Sequence, residues 1–185
     1  MTPFDEITES TELEALVGFF DLTGFMILAQ KPEPVELLQL MAGYFELSRN
    51  IIETGGGWLV KIIGDAGLAA FPAEEIVTGV RIMRQLKEEG DAWLAGGGLR
   101  SESVVKLHVG RVDCGMVAGR PDIYGHAISL AAVMETTGFA MSSQTFWKLS
   151  PETRKLLKKH TPPVSYIPVE AAHPRDGQRG WRSNM

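Results

Sequence analysis

The chain has almost no cysteine. Cys114 is the single one among 185 residues, so no disulfide can close within the chain. That usage fits a reducing compartment and makes the cytoplasm the expected location. There is no basic excess. Eighteen Lys and Arg stand against 23 Asp and Glu, a net charge of −5, which argues against a nucleic-acid-binding surface. No apolar run is long enough to span a bilayer, and residues 1–18 lack the basic start and apolar block of a secretion signal. The four histidines and one cysteine form no cluster, which argues against a zinc site. Internal repeats and low-complexity segments are also missing. What remains, at 44% hydrophobic content, suits one globular domain over residues 1–169. Residues 170–185 form a polar, Gly- and Pro-containing tail.

Two segments stand out: Phe19-Phe20-Asp21-Leu22-Thr23-Gly24-Phe25 and Lys61-Ile62-Ile63-Gly64-Asp65-Ala66-Gly67-Leu68-Ala69-Ala70-Phe71. Each is an apolar, strand-like run with one aspartate at its end. Carboxylates fixed on rigid strand ends suit hard divalent cations, which take oxygen ligands and complete their shells with phosphate and water. A metal pair of this kind is a recurring device in phosphoryl chemistry.

The patterning predicts a strand over Val17–Leu22. A helix then starts near Pro32 and Pro34, carries Leu37, Leu38, Met41, Tyr44, Phe45, Ile51 and Ile52 at helical spacing, and stops at Gly55-Gly56-Gly57. Two strands, Trp58–Ile63 and Ala66–Phe71, flank a Gly64-Asp65 hairpin turn. A second helix follows Pro72, with Ile76, Val77, Val80, Met83 and Leu86 on one face. Val104–Val109 and Val112–Ala118 are expected to be a strand pair turning near Gly110-Arg111. A third helix is expected from His126 to Thr137, then a short strand over Phe139–Ser142. An amphipathic helix over Gln144–His160 and a strand over Val164–Val169 follow. The order gives an α+β fold with a ferredoxin-like βαββαβ core, extended at its C-terminal end by a helix and a strand.

In this order and register the segments resemble class III adenylate and guanylate cyclase catalytic domains. Besides the two aspartate segments, the resemblance is carried by Leu107-His108-Val109-Gly110-Arg111-Val112-Asp113-Cys114-Gly115-Met116-Val117-Ala118-Gly119. It continues into Asp122-Ile123-Tyr124-Gly125-His126-Ala127-Ile128-Ser129-Leu130-Ala131-Ala132-Val133-Met134-Glu135, and covers Val17 to Leu149. It implies a head-to-tail dimer, of like chains or with another cyclase domain, with active sites at the interface. One protomer would hold two Mg²⁺ or Mn²⁺ ions on Asp21, Asp65 and the Leu22 carbonyl. The other would read the base with Lys61 and Asp122. A lysine donates to adenine N1 and an aspartate accepts from the exocyclic amine, so the resemblance implies ATP as substrate and cyclic AMP with pyrophosphate as products.

The departures are as specific. The family's third helix carries a ribose-orienting asparagine and, one turn later, an arginine on the reacting phosphate. Ser129 and Val133 occupy those positions. The family also holds the triphosphate with a lysine near the last strand, and Val164–Val169 contains none. Arg111 and Arg120 are the nearest candidate replacements. Two function classes follow: a cyclase that is weak or dependent on a partner, and a catalytically inactive regulatory or nucleotide-binding module.

Plainer readings apply to the remaining polar residues. His108 reads as a strand histidine with a satisfied ring, and Cys114 as a buried structural thiol. Arg154, Lys155, Lys158 and Lys159 read as the solvated face of one helix.

Overall fold

A computed structural model of the chain describes residues 4, 10–30, 32–136, 138–160 and 164–171. The tail assigned to 170–185 therefore lies outside the described residues from 172 onward. Its first two residues are tied down: Glu170 pairs with Arg84, and Lys158 Nζ donates to the Ala171 carbonyl at 2.6 Å.

The elements run β1 (Thr11–Leu22), α1 (Phe25–Leu28), α2 (Pro34–Thr54), β2 (Trp58–Ile63), β3 (Ala66–Pro72), α3 (Ile76–Gly96), β4 (Ser103–Val117) and β5 (Arg120–Tyr124). They continue with α4 (His126–Ala132), β6 (Phe139–Ser142), α5 (Ser143–Lys148), α6 (Pro151–Arg154), β7 (Leu157–His160) and β8 (Ser165–Pro168). The sheet order is β2-β3-β1-β4-β6-β8-β7, with β5 paired to β4. Strands β2, β3, β1 and β4 are antiparallel throughout. This is the expected βαββαβ core.

The core lies on both faces of the sheet, which is why β1 reads as an almost unbroken apolar run. Leu16 and Phe20 point to the face covered by α2 and α3, where Phe71, Ile52, Met83 and Leu86 meet them. Ala15 and Val17 point to the other face, against Leu68, Val112, Cys114, Ile123 and the Ala127–Ala131 side of α4. Val77, expected on the buried face of α3, is exposed instead.

The Phe20 side chain is fully buried and lies directly over Gly67, its partner across the β1–β3 ladder. A β-carbon at Gly67 would overlap the Phe20 ring. Gly67→Ala is therefore expected to destabilise the fold by roughly 1–3 kcal/mol, the usual cost of overpacking. At about 2–4 °C per kcal/mol for a domain of this size, the change is visible in a thermal melt followed by circular dichroism. An unchanged melt would contradict this packing.

Three expectations are corrected. The strand pair turning at Gly110-Arg111 is one continuous strand, β4; the hairpin turn lies at Ala118-Gly119 and leads into β5. Helix α4 ends at Ala132 and not at Thr137, with Val133 as its C-cap; Thr137 itself lies outside the described residues. The expected helix over Gln144–His160 is two short helices and a strand. Ser142 and Ser150 cap the helices by accepting the N–H of Thr145 and Thr153, and Pro151 starts the second. Arg154, Lys155, Lys158 and Lys159 consequently do not share one helix face.

Candidate functional site

Asp21 is placed by β1 and Asp65 by the β2–β3 hairpin. Gly64 occupies the first central position of that turn at φ +66°, where an L side chain is disfavoured. The turn sets Asp65 immediately beyond the Ile63–Ala66 pair, just before β3, the strand that neighbours β1. The two carboxyl groups lie close enough for Asp21 to raise the proton affinity of Asp65. Asp21 Oδ1 also accepts the Leu22 N–H at 2.8 Å.

Partial burial pushes the Asp65 carboxyl up to about 6, and Asp21 adds to the rise. The backbone N–H groups of Asp65 and Leu22 oppose it. Two acids forced together in this way are held apart from full ionisation unless a cation joins them. The donors are all oxygen, which fits a hard ion such as Mg²⁺ or Mn²⁺. No cluster of three or more His, Cys, Asp or Glu occurs among the described residues. A cation here would rest on two carboxylates and main-chain oxygen, leaving positions for phosphate and water.

Lys61 lies on β2 and Asp122 on β5, 61 positions apart in sequence. The structure joins them: Lys61 Nζ donates to Asp122 Oδ2 at 2.7 Å. Asp122 Oδ1 accepts the Ile123 N–H at 2.8 Å, which orients the carboxylate. The Tyr124 ring centroid is 5.0 Å from Lys61 Nζ, a cation–π contact that adds to the ion pair. Tyr124 was not singled out from sequence. It follows Asp122 by two and so shares its face of β5, a signal readable once that segment is recognised as a strand.

Ser129 lies on the outer side of α4 and Val133, four residues on, is its C-cap. Ser129 is exposed and Val133 is 72% exposed. No charged group stands in for the absent arginine at either position. Arg111, one candidate replacement, is 80% exposed and pairs with Glu12 at 3.0 Å. Arg120, the other, opens β5 two residues before Asp122. The last strand carries no lysine, as read from sequence. Its neighbour β7, however, sets Lys158 and Lys159 opposite Ile167 and Tyr166. Sequence reasoning missed this because it placed both lysines on a helix.

His108 and Cys114 are buried. The His108 ring bonds Ser142 Oγ at 2.9 Å, and burial lowers its proton affinity. Burial pushes the Cys114 thiol up, as expected of an inert structural cysteine.

Comparison with known proteins gives one family. The family model for the adenylate and guanylate cyclase catalytic domain matches residues 8–171. An adenylate cyclase of Streptomyces coelicolor is 31% identical over 125 residues, which are 67% of this chain and 30% of that protein. One of Glutamicibacter nicotianae is 32% identical over 121 residues, or 65% and 27%. The chain thus spans less than a third of the length of these relatives. Among solved structures, a bacterial light-regulated adenylyl cyclase superposes with a TM-score of 0.77 at 22% identity, covering 90% of this chain and 55% of that one. The adenylyl cyclase CyaB from P. aeruginosa gives 0.71 at 17%, covering 89% and 97%. The monomeric guanylyl cyclase domain of the RhoGC fusion protein from Blastocladiella emersonii gives 0.73 at 18%, covering 88% and 98%. At these identities the structural likeness speaks for the fold. No helix among the described residues is long and apolar enough to cross a membrane.

Proposed function

The chain belongs to the adenylate and guanylate cyclase catalytic domain family, and from that premise we propose that it takes ATP to cyclic AMP and pyrophosphate at a dimer interface, with turnover that is weak or dependent on a partner domain. The observation that carries the base preference is the Lys61–Asp122 pair at 2.7 Å. Its polarity, a donor beside an acceptor, matches adenine N1 and the exocyclic amine. Guanine presents the reverse.

Asp21 and Asp65, with the Leu22 carbonyl, would hold the Mg²⁺ or Mn²⁺ pair. When bound, those ions lower the pKa of the ribose 3′-hydroxyl and offset charge on the phosphates. That hydroxyl attacks the α-phosphate and pyrophosphate leaves. Lys61 and Asp122 orient the base, and Ser129 offers one hydroxyl towards the ribose where an amide would present its donor and acceptor on two separate atoms. Val133 supplies nothing to the reacting phosphate. Lys159, beside the last strand, is a candidate for the triphosphate-holding lysine, since Lys158 already donates to the Ala171 carbonyl.

The arrangement is asymmetric. A homodimer would carry aspartates and base readers in both sites and the arginine in neither. A heterodimer with a complete cyclase domain would gain one full site, to which this chain donates Asp21 and Asp65. A second reading, a regulatory nucleotide-binding module without turnover, is favoured by the exposed aliphatic Val133 at the position of the charge. The test is cyclic AMP formation from ATP with Mn²⁺ over a wide protein concentration range, with Asp65→Ala as control. Turnover that rises with dimer concentration and vanishes in the control supports the cyclase. Turnover no greater than the control, alone and on mixing with a complete domain, leaves the regulatory reading. Lys61→Glu, which reverses the hydrogen-bond polarity at the base, is expected to cut the preference for ATP over GTP by roughly tenfold or more, the scale of one charged hydrogen bond.

A further inference from the structure

A cleft of about 540 Å³ opens where β2, the β4–β5 hairpin and α2 come together. Its walls include Lys61 and Asp122, and beside them Arg49, Val117, Ala118 and Arg120. The charge there is unbalanced. Among the described residues Asp122 is the one acid on the walls, and it is already paired with Lys61. Arg120 has no ion pair or side-chain hydrogen bond among the described residues. Arg49 has only Glu53, at 3.9 Å across an exposed helix face, a pairing of little energetic weight. Two arginines therefore line an open cleft with no strong charge partner among the described residues.

The hairpin that delivers Arg120 is itself unusual. Ala118 and Gly119 both adopt positive φ, +50° and +76°, and Ala118 is the one non-glycine residue to do so among those described. Such a two-residue turn prefers Asn-Gly or Gly-Gly. A side chain held in the left-handed region costs about 1 kcal/mol or more. The strain falls next to Arg120, at the lip of the cleft.

We propose that Arg49 and Arg120 form a polyphosphate subsite beside the Lys61–Asp122 pair, holding the phosphate chain of a nucleotide whose base that pair reads. Guanidinium groups suit this task because their planar donors meet phosphate oxygens two at a time. The inference deepens the reading of the nucleotide site given above and rests on it. The two arginines supply charge to the phosphates from positions other than the replaced α4 residue.

The experiment is calorimetric titration of the full chain with inorganic tripolyphosphate in metal-free buffer, so that the Asp21–Asp65 pair cannot contribute through a cation. Wild type is compared with Arg49→Gln, Arg120→Gln, the double variant, and Arg84→Gln as a control cation on α3, paired with Glu88 and outside the cleft walls. Each single variant is expected to weaken binding roughly tenfold, and the double variant roughly a hundredfold, with Arg84→Gln unchanged. Equal affinity of wild type and double variant overturns the proposal. So does an equal loss in Arg84→Gln, or no binding by the wild type. A parallel titration with adenosine, using Lys61→Met, separates the two readings. Arginine-dependent tripolyphosphate binding with adenosine binding that ignores Lys61 keeps the subsite and removes the base reading. Lys61-dependent adenosine binding without tripolyphosphate binding does the reverse.

Discussion

Replacing Ser129 with asparagine and Val133 with arginine together is expected to raise cyclic AMP synthesis from ATP by roughly 10³-fold or more, the scale on which an arginine acts on a transferring phosphoryl group. The magnitude follows from where charge develops. As the α-phosphate is attacked, negative charge builds on its oxygens and on the departing pyrophosphate. A cation aimed there is worth more in that state than in the bound substrate. Val133 provides no such interaction. The fold tolerates both changes, because Ser129 and Val133 are exposed on α4 and make no core contact that the longer side chains would displace. Val133 also caps the C-terminal end of α4, where a cation is mildly favourable. The variant should thus melt close to wild type, and a change in rate then reports chemistry. Initial rates with Mn²⁺, at a protein concentration where dimers prevail, provide the measurement. The single Val133→Arg change should carry most of the gain, with Ser129→Asn adding to it through orientation of the ribose. A rate that stays at the wild-type level would show that the dimer interface or the phosphate-holding cations limit turnover instead.

Particular residues show what the sequence made legible. The hairpin at Gly64-Asp65 was readable because a Gly-Asp pair between two apolar runs has the chemistry of a tight turn, and Gly64 does take a positive φ. The order strand, helix, hairpin, helix, strand then set the sheet order of the core. Gly110 misled for a physical reason. It looked like a turn residue, yet it sits inside β4 because α4 packs there: a β-carbon would stand 3.0 Å from the Ala127 methyl. Leu157–His160 was hidden because Lys158 and Lys159 carry no apolar alternation, and the strand exists by pairing with β8 at a sheet edge. In the candidate site, Asp21 and Asp65 stand out from local pattern alone, each a carboxylate at the end of an apolar run. Lys61 and Asp122 could not be joined without the resemblance, since their contact depends on β5 folding back beside β2. Arg49 carried no signal at all, being one polar residue on an exposed helix face.

Asp65→Asn is expected to abolish Mn²⁺-dependent turnover, a loss on the order of 10³-fold or more if the ion contributes several kcal/mol to the transition state. The same variant is expected to make the metal-free protein more stable at pH 7–8. Both effects come from one cause. In the fold the Asp65 carboxyl is raised from its ordinary 3.8 to about 6, first by burial and then by Asp21. A raised value means that the fold prefers the protonated acid. Its contribution is fully present below the unfolded value of 3.8 and is lost as pH rises through about 6. At neutral pH the metal-free site therefore carries two carboxylates with an unmet repulsion. An amide in place of Asp65 removes one charge and offers its N–H to the Asp21 carboxylate. Thermal melts in EDTA should show Asp65→Asn a few degrees above wild type at pH 7–8, with the gap closing towards pH 4. Added Mn²⁺ should raise the wild-type melt and leave the variant where it was. A variant that melts below wild type at pH 8, or that still responds to Mn²⁺, would mean that the two carboxylates are not the pair that holds the ion. The stability forgone at neutral pH is what a bound cation would restore: the repulsion between Asp21 and Asp65 is relieved by a proton, which neutral pH withholds, or by a metal ion held between them.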